Sequence, residues 1–372
     1  MKLFWRLLLL LSAMFLALGS VAMAGPLPPI AQLGKIMYQD LDFSYNSTQS
    51  CLTCHHHSSG FADPDNRRDP YTSVVSVGAD GVSKGGRNAP SAAYAGYSPV
   101  LHKNMATGEY VGGMFWDGRA TGLVLGDPLA EQALGPPLNP VEMNMPDAEA
   151  VVQVVRDSSY ASLFLQVFGT GALTDTASAY NNIGRAIAAF ERSNQVQKFT
   201  SRFDRNQLSV AEQRGAALVA QHCAQCHSTA PAPDGSKPLF TNYGYVNIGI
   251  PANLLLAGNP VDPGLGGFLE KDYNSPAPLI GDADYAAHYG KFKVPTLRNV
   301  ARTPPYGHNG VFPTLKEVVD FHNTRDVAPW PASEVEENKN IQDVGDMGLT
   351  ASEVDDVVAF LMSLTDELQT GP

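Results

Sequence analysis

The chain has 372 residues, of which 44% are hydrophobic and 17% charged, and its formal net charge is −12. That length predicts two domains, each able to bury a core of its own. The acidic balance argues against nucleic acid and anionic membrane as partners, because both require basic surface, and suits a basic partner protein.

In chain order, Lys2 and Arg6 precede an apolar run from Leu7 to Leu18, and Ala22-Met23-Ala24 reads as a small-x-small cleavage site. Residues 1–24 are therefore expected to be a secretion signal, with the mature chain starting near Gly25. The run is too short to span a bilayer, which takes roughly 20 residues. An amphipathic stretch from Ile30 to Asp40 follows, with further helices predicted near Ala148 to Arg156 and from about Ala177 to Ser193, where Ile183, Ile187 and Phe190 share one stripe. Ser209-Val210-Ala211-Glu212 is a capping box that starts a helix leading into Cys223. Thr350-Ala351-Ser352-Glu353 is another, and the helix it starts carries Val354, Val357, Val358, Leu361 and Leu364. Segments 57–113 and 228–312 are rich in Gly, Pro and Asn, which predicts ordered loops with little sheet.

The four cysteines decide the reading. An exported chain would by default pair them as disulfides. Here they fall as Cys51-Leu52-Thr53-Cys54-His55 and Cys223-Ala224-Gln225-Cys226-His227. Cys-x-x-Cys-His is the attachment signature of c-type haem: each thiol adds to a vinyl group and the histidine ligates the iron. Two such motifs use every cysteine, so the disulfide and zinc readings are set aside. An opening helix, a haem motif and a closing helix are the minimum of a cytochrome c fold. The expectation is a mainly α protein of two cytochrome c-like domains with long ordered loops, 25–200 and 201–372, dividing near 196–208, each with one covalent haem c. No repeat is visible beyond the paired motifs. What fills the sixth position of each iron decides whether that haem carries electrons or does chemistry.

Further motifs carry a resemblance. Gly86-Arg87-Asn88-Ala89-Pro90-Ser91, Phe115-Trp116-Asp117-Gly118-Arg119-Ala120, Glu131-Gln132-Ala133-Leu134-Gly135-Pro136, Val141-Glu142-Met143, and Val294-Pro295-Thr296-Leu297-Arg298-Asn299 followed by Pro305-Tyr306-Gly307-His308-Asn309-Gly310 occur in one order across nearly the whole mature chain. This pattern resembles the bacterial dihaem cytochrome c peroxidase and MauG family.

The resemblance implies that the N-terminal haem, on Cys51, Cys54 and His55, is the peroxidatic one. Many such peroxidases hold a distal histidine on the loop before Arg-Asn-Ala-Pro, but Ser58 to Leu101 contains no histidine and the aligned place is near Asp80. An open, five-coordinate haem is implied, as in MauG-type members. His56 and His57 adjoin the motif too closely to reach the distal side, leaving His102 as the alternative ligand. Glu142 matches the family's distal acid, which takes a proton from peroxide's inner oxygen and returns it to the leaving one. Gln132 and Pro136 match residues that shape the same pocket. Trp116 matches the tryptophan between the haems, an oxidisable relay that could equally be a packed core residue.

The C-terminal haem, on Cys223, Cys226 and His227, is implied to be the electron-entry haem. The family's sixth ligand falls fourteen residues beyond His308, at His322, so bis-histidine ligation is expected. Histidine in place of methionine lowers the potential. His308 is expected to hydrogen-bond near the haem edge. The resemblance also implies a calcium ion on the Asn88 side chain and the carbonyls of Thr303 and Pro305, and a homodimer.

Three functions follow as expectations. The first is a periplasmic peroxidase that reduces hydrogen peroxide with electrons from a small donor such as a cytochrome c or cupredoxin. The second is a MauG-like enzyme that uses peroxide to oxidise residues of a partner protein. The third is a dihaem electron carrier without catalysis, against which the Glu142 and Trp116 matches count.

Overall fold

The computed structural model describes residues 26–232 and 234–367. The secretion signal expected over residues 1–24 lies outside them. Among the described residues the first half contributes α1 (Pro29–Tyr38), α2 (Cys51–Cys54), α3 (Pro64–Arg68), α4 (Pro128–Ala133), α5 (Gly135–Leu138), α6 (Ala148–Asp157), α7 (Ala161–Phe168) and α8 (Thr176–Glu191). The second half contributes α9 (Val210–His222), α10 (Gly264–Tyr273), α11 (Leu315–Thr324) and α12 (Ala351–Ser363). The three helices read from periodicity are α1, α6 and α8, each within two residues of its expected ends. Both expected capping boxes form: the Ser209 side chain accepts from Glu212 N at the start of α9, and that of Thr350 from Glu353 N at the start of α12.

Each half is built around one tight helix crossing. On α1, Leu33, Met37 and Tyr38 are fully buried against the α8 stripe of Ile183, Ile187 and Phe190, and the rings of Tyr38 and Phe190 meet edge-on at 5.2 Å. Each such side chain contributes roughly 1.5–3 kcal/mol by leaving water. The crossing is close because Gly34 has no side chain: a Cβ there would stand 1.8 Å from the Ala186 carbonyl oxygen. In the second half α9 crosses α12 in the same way. Gly215 lies against the Asp356 carbonyl, while Val219 packs with Val357, Phe360 and Leu361.

The likeness runs deeper than the helices. Phe61 and Phe240, one after each haem motif, both take positive φ (61° and 55°), as do Tyr94 and Asn299, each four residues beyond a proline of the loop motifs. No repeat is visible in the sequence beyond the haem motifs, and the halves share these backbone angles with unlike side chains at Tyr94 and Asn299.

The long loops hold only two short antiparallel ladders. β1 (His102–Lys103) pairs with β2 (Tyr110–Val111), and β3 (Tyr245–Val246) with β4 (Phe292–Lys293). Polar contacts tie the halves together: Arg87 to Asp262 at 2.7 Å, Lys103 to Asp282 at 2.8 Å, Lys291 to Glu109 at 2.7 Å, and the Tyr94 hydroxyl donating to Asp366 at 2.7 Å. The loop segments 86–91 and 114–119 are thereby held against the second half.

Candidate functional site

Both Cys-x-x-Cys-His motifs present the same chemistry. Ser50 caps α2 in a capping box with Thr53, so Cys51 and Cys54 lie on one helical turn, and His55 follows at its end. The His55 Nδ1 bonds to the Phe61 carbonyl at 3.1 Å, and the His227 Nδ1 to the Phe240 carbonyl at 2.9 Å. The positive φ of each phenylalanine turns that carbonyl toward the ring. With Nδ1 tied off as a donor, Nε2 keeps its lone pair for a metal. Burial keeps both imidazoles neutral: it lowers His55 below the ordinary histidine value and carries His227 down to about 4. None of the four cysteines is joined in a disulfide.

A cavity of about 310 Å³ opens beside the second motif, large enough for a cofactor-sized ligand. Cys223, Cys226 and His227 line it, and apolar walls come from Val219, Leu315, Val319, Val357 and Leu361. This donor set and apolar wall fit a haem c. His322 lines the same cavity from α11. Thr314 and Glu317 cap that helix, and the His322 Nδ1 bonds to the Val318 carbonyl at 2.7 Å, again leaving Nε2 free. Burial holds His322 neutral, and it lies close enough to His227 for the two charges to disfavour one another.

Trp116 lines this cavity too, in a segment folded back on itself by a bridge between Met114 and Ala120. Its indole Nε1 donates to the Asn88 carbonyl at 2.9 Å. The preceding Phe115 lines both this cavity and a second pocket, whose other walls include Arg119, Gly135, Asn139 and Glu142. Phe115 and Trp116 thus form a wall between the two pockets.

Glu142 is half-buried in that second pocket, and its Oε1 accepts from the Asn139 side-chain amide at 2.6 Å. Burial raises its pKa, while the Arg119 guanidinium and the Asn139 amide oppose the rise. Burial raises Cys51 and Cys54, and the charge of Glu142 is a lesser contributor at both, which puts the carboxylate within electrostatic range of the first haem motif. Arg119 stacks 3.8 Å over the Phe115 ring, and its Nη1 pairs with Asp117 at 2.9 Å. Asp117 in turn pairs with Arg87 at 2.6 Å.

Of the residues matched to the pocket of Glu142, Pro136 closes the turn beneath it, its carbonyl accepting from Asn139 N and Met143 N. Gln132 lies on α4, and neither it nor Pro136 lines the pocket; their neighbours Glu131 and Gly135 do. Glu131 is occupied with loop backbone, accepting from the amides of Gly122, Val124 and Leu125.

No histidine stands near Asp80. Its exposed carboxylate caps its own turn, accepting from the amides of Val82 and Ser83, and the adjoining Ala79 amide donates to the Glu142 carbonyl at 2.7 Å. His56 stacks on His57 at 4.0 Å and bonds to Ser58. His102 is exposed, bonds to the Val100 carbonyl, and lines neither pocket. His308 is buried and stacked 3.6 Å from Phe292, and its Nε2 meets Glu334 at 3.3 Å.

Asn88, Thr303 and Pro305 all line the larger cavity. The Asn88 Nδ2 donates to the Val74 carbonyl at 3.0 Å, and its Oδ1 accepts no hydrogen bond from the described residues. A free amide oxygen suits calcium's preference for oxygen ligands. Among the described residues no group of three or more His, Cys, Asp or Glu is arranged to hold a metal.

Sequence reasoning missed Arg119, Asn139 and Lys293. Arg119 stood inside a motif already read, and Asn139 lies two residues before Val141-Glu142-Met143. Lys293, one residue before the Val-Pro-Thr motif, carried no signal of its own.

Residues 28–213 match the family described as "Di-haem cytochrome c peroxidase", and residues 212–365 match "Cytochrome c". The methylamine utilization protein MauG of Paracoccus denitrificans is 37% identical over 94% of this chain and 92% of its own length. The cytochrome c551 peroxidase of Nitrosomonas europaea is 30% identical over 96% and 89%. Among solved structures, the diheme peroxidase BthA from Burkholderia thailandensis superposes with a TM-score of 0.78 at 30% identity, covering 93% of this chain and 88% of that one.

Proposed function

The chain belongs to the di-haem cytochrome c peroxidase family, MauG included, and from that premise we propose that it is a periplasmic peroxidase reducing hydrogen peroxide to water. One haem c is held by Cys51, Cys54 and His55, in a domain spanning 25–200. The other would be held by Cys223, Cys226 and His227, with His322 offering a further imidazole to the iron, in a domain spanning 201–372. Bound there, the two haems supply the redox centres that deliver electrons to the peroxide O–O bond.

The chain's own residues manage protons and position. Glu142 takes the proton from the inner peroxide oxygen and returns it to the outer one, which leaves as water; two further protons from solvent and two electrons turn the remaining oxygen into the second water. Arg119 favours the ionised carboxylate that this step needs, and the Asn139 amide fixes its orientation. Trp116 relays electrons from the second haem toward the first, its indole held by the Asn88 carbonyl. The Asn88 Oδ1 and the carbonyls of Thr303 and Pro305 bind a calcium ion that steadies this junction. The donor is a small redox protein, and export uses the signal at residues 1–24.

The observation that carries the reading is a half-buried carboxylate sharing its pocket with Arg119, within electrostatic range of the first haem motif's cysteines. The test is Glu142→Gln in the holoprotein. Peroxide cleavage should fall by roughly 10²–10⁴-fold with both haems retained, and wild-type cleavage would remove the assigned role.

A MauG-like action on a partner protein is favoured by one feature: the loop from Ser58 to Leu101 has no histidine, and its Asp80 turn packs on the Glu142 backbone. Fast steady turnover with reduced cytochrome c supports peroxide reduction. Slow turnover, with residues of a partner oxidised instead, supports the second action.

A further inference from the structure

Lys293 is the anomaly of the larger cavity. It is enclosed by protein, yet among the described residues no carboxylate offsets its charge, and burial alone lowers it to about 7. Its Nζ donates to the Gly112 carbonyl at 3.0 Å and weakly to the Tyr243 carbonyl at 3.5 Å. It stands 5.6 and 5.5 Å from the ring centres of Tyr243 and Tyr245. An ammonium has three donors, and an unpaired charge in such surroundings costs several kcal/mol. The side chain lines the cavity where Cys223, Cys226, His227 and His322 converge.

Of the other charges around that cavity, Asp343 takes hydrogen bonds from the Asn340 and Gln225 amides and does not act on Lys293, and the rest are paired. Arg298 pairs with Asp204 at 2.7 Å, Asp262 with Arg87, and Glu334 with His308. Among the described lysines and arginines lining the cavity, Lys293 alone is left without an anion. A haem brings two propionate carboxylates. We propose that Lys293 Nζ is the counter-ion of a propionate of the C-terminal haem; this rests on the reading that a haem fills the cavity. The contact has a second effect. Lys293 N donates to the Trp116 carbonyl at 2.9 Å, and the Nζ grips Gly112 four residues before that indole. The lysine therefore ties the haem's edge to the segment that carries Trp116.

The test is potentiometric, on holoprotein, comparing wild type, Lys293→Met and Lys293→Arg, with covalent haem counted in each. Loss of the cation leaves a bare carboxylate near the iron, which favours the more positive, oxidised state. Lys293→Met should keep two haems, and the low-spin haem's midpoint potential should fall. That potential should also vary with pH between about 5 and 7, where an unpaired carboxylic acid in protein surroundings titrates. Wild type and Lys293→Arg should lack that added titration; His222, His308, Asp262, Glu334 and Asp343 line the same cavity in all three proteins and cancel in the comparison. Lys293→Met with two haems and a wild-type potential and profile overturns the proposal. If Lys293→Met does not mature, Lys293→Gln takes its place: a wild-type potential and profile overturn the pairing, and a lower potential with an added carboxylate titration supports it. A wild-type chain with a single haem, on Cys51 and Cys54, defeats the reading of the cavity itself, and the haem count separates that failure from the lysine's.

Discussion

Gly215 of α9 lies so close to Asp356 of α12 that a Cβ on it would stand 2.0 Å from the Asp356 carbonyl oxygen and 2.8 Å from the Phe360 Cβ. Neither obstacle can swing away, since one is backbone and the other sits at the root of a fully buried ring. Gly215→Ala must separate the two helices, at a cost of about 1–3 kcal/mol or more. Thermal unfolding should shift downward, with a lower yield of haem on Cys223 and Cys226. A variant melting with the wild type would mean that the crossing is looser than described.

The pH profile of peroxide cleavage should report Glu142. Its pKa is raised by burial, and the base must be ionised to accept a proton, so activity should increase with pH through a limb lying above the ordinary glutamate range. Arg119→Leu removes the opposing cation and should move that limb further up. The effect should weaken with added salt, because Arg119 is partly exposed. An unmoved limb in kcat/KM would separate Arg119 from the carboxylate's charge state.

His322→Ala should change one haem alone. The low-spin spectrum of the C-terminal haem should be lost or converted, with both haems still attached through their cysteines. Single-turnover peroxide cleavage should survive while turnover with a donor protein falls. Two unaltered spectra would exclude His322 as a ligand.

Glu191 predicts a stability effect of definite sign. It is 4% exposed at the end of α8, one carboxylate oxygen has no partner, and burial raises it from 4.5 to about 8. The folded state therefore holds a proton that the unfolded state releases. That stability is fully present below about pH 4.5 and is lost as pH rises through about 8. At about 1.4 kcal/mol per unit, the loss is of order several kcal/mol. Glu191→Gln has nothing to titrate, so denaturant unfolding should find it more stable than wild type at about pH 9, with the difference shrinking toward acid. A constant difference would mean that Glu191 stays ionised.

Much of this was legible in the chain because local chemistry wrote it there. The haem motifs are contiguous, and the capping boxes at Ser209 and Thr350 need only four residues each. The α8 stripe of Ile183, Ile187 and Phe190 follows one helical period. The box Thr314-Leu315-Lys316-Glu317 that begins α11 was equally readable and was passed over. What stayed hidden depends on contacts between distant segments. Gly34 and Gly215 look like ordinary helix glycines until the partner backbone arrives. The structural repeat is carried by backbone angles at Phe61 and Phe240, and by positions such as Tyr94 and Asn299 where the side chains differ. Gln132 sat in a matching motif, yet helix α4 turns it away from the pocket that its neighbours line.

The span from Phe115 to Arg119 has one more implication. Five consecutive residues bear the aromatic shared by two chambers, the indole, an acid gripping two arginines, and the guanidinium that biases Glu142. On the proposed reading, proton handling on one side and conduction on the other fall to a single pentapeptide. Neither trait can drift alone: an insertion or deletion there would detune both at once, and paired substitutions at Phe115 and Arg119 should be strongly non-additive.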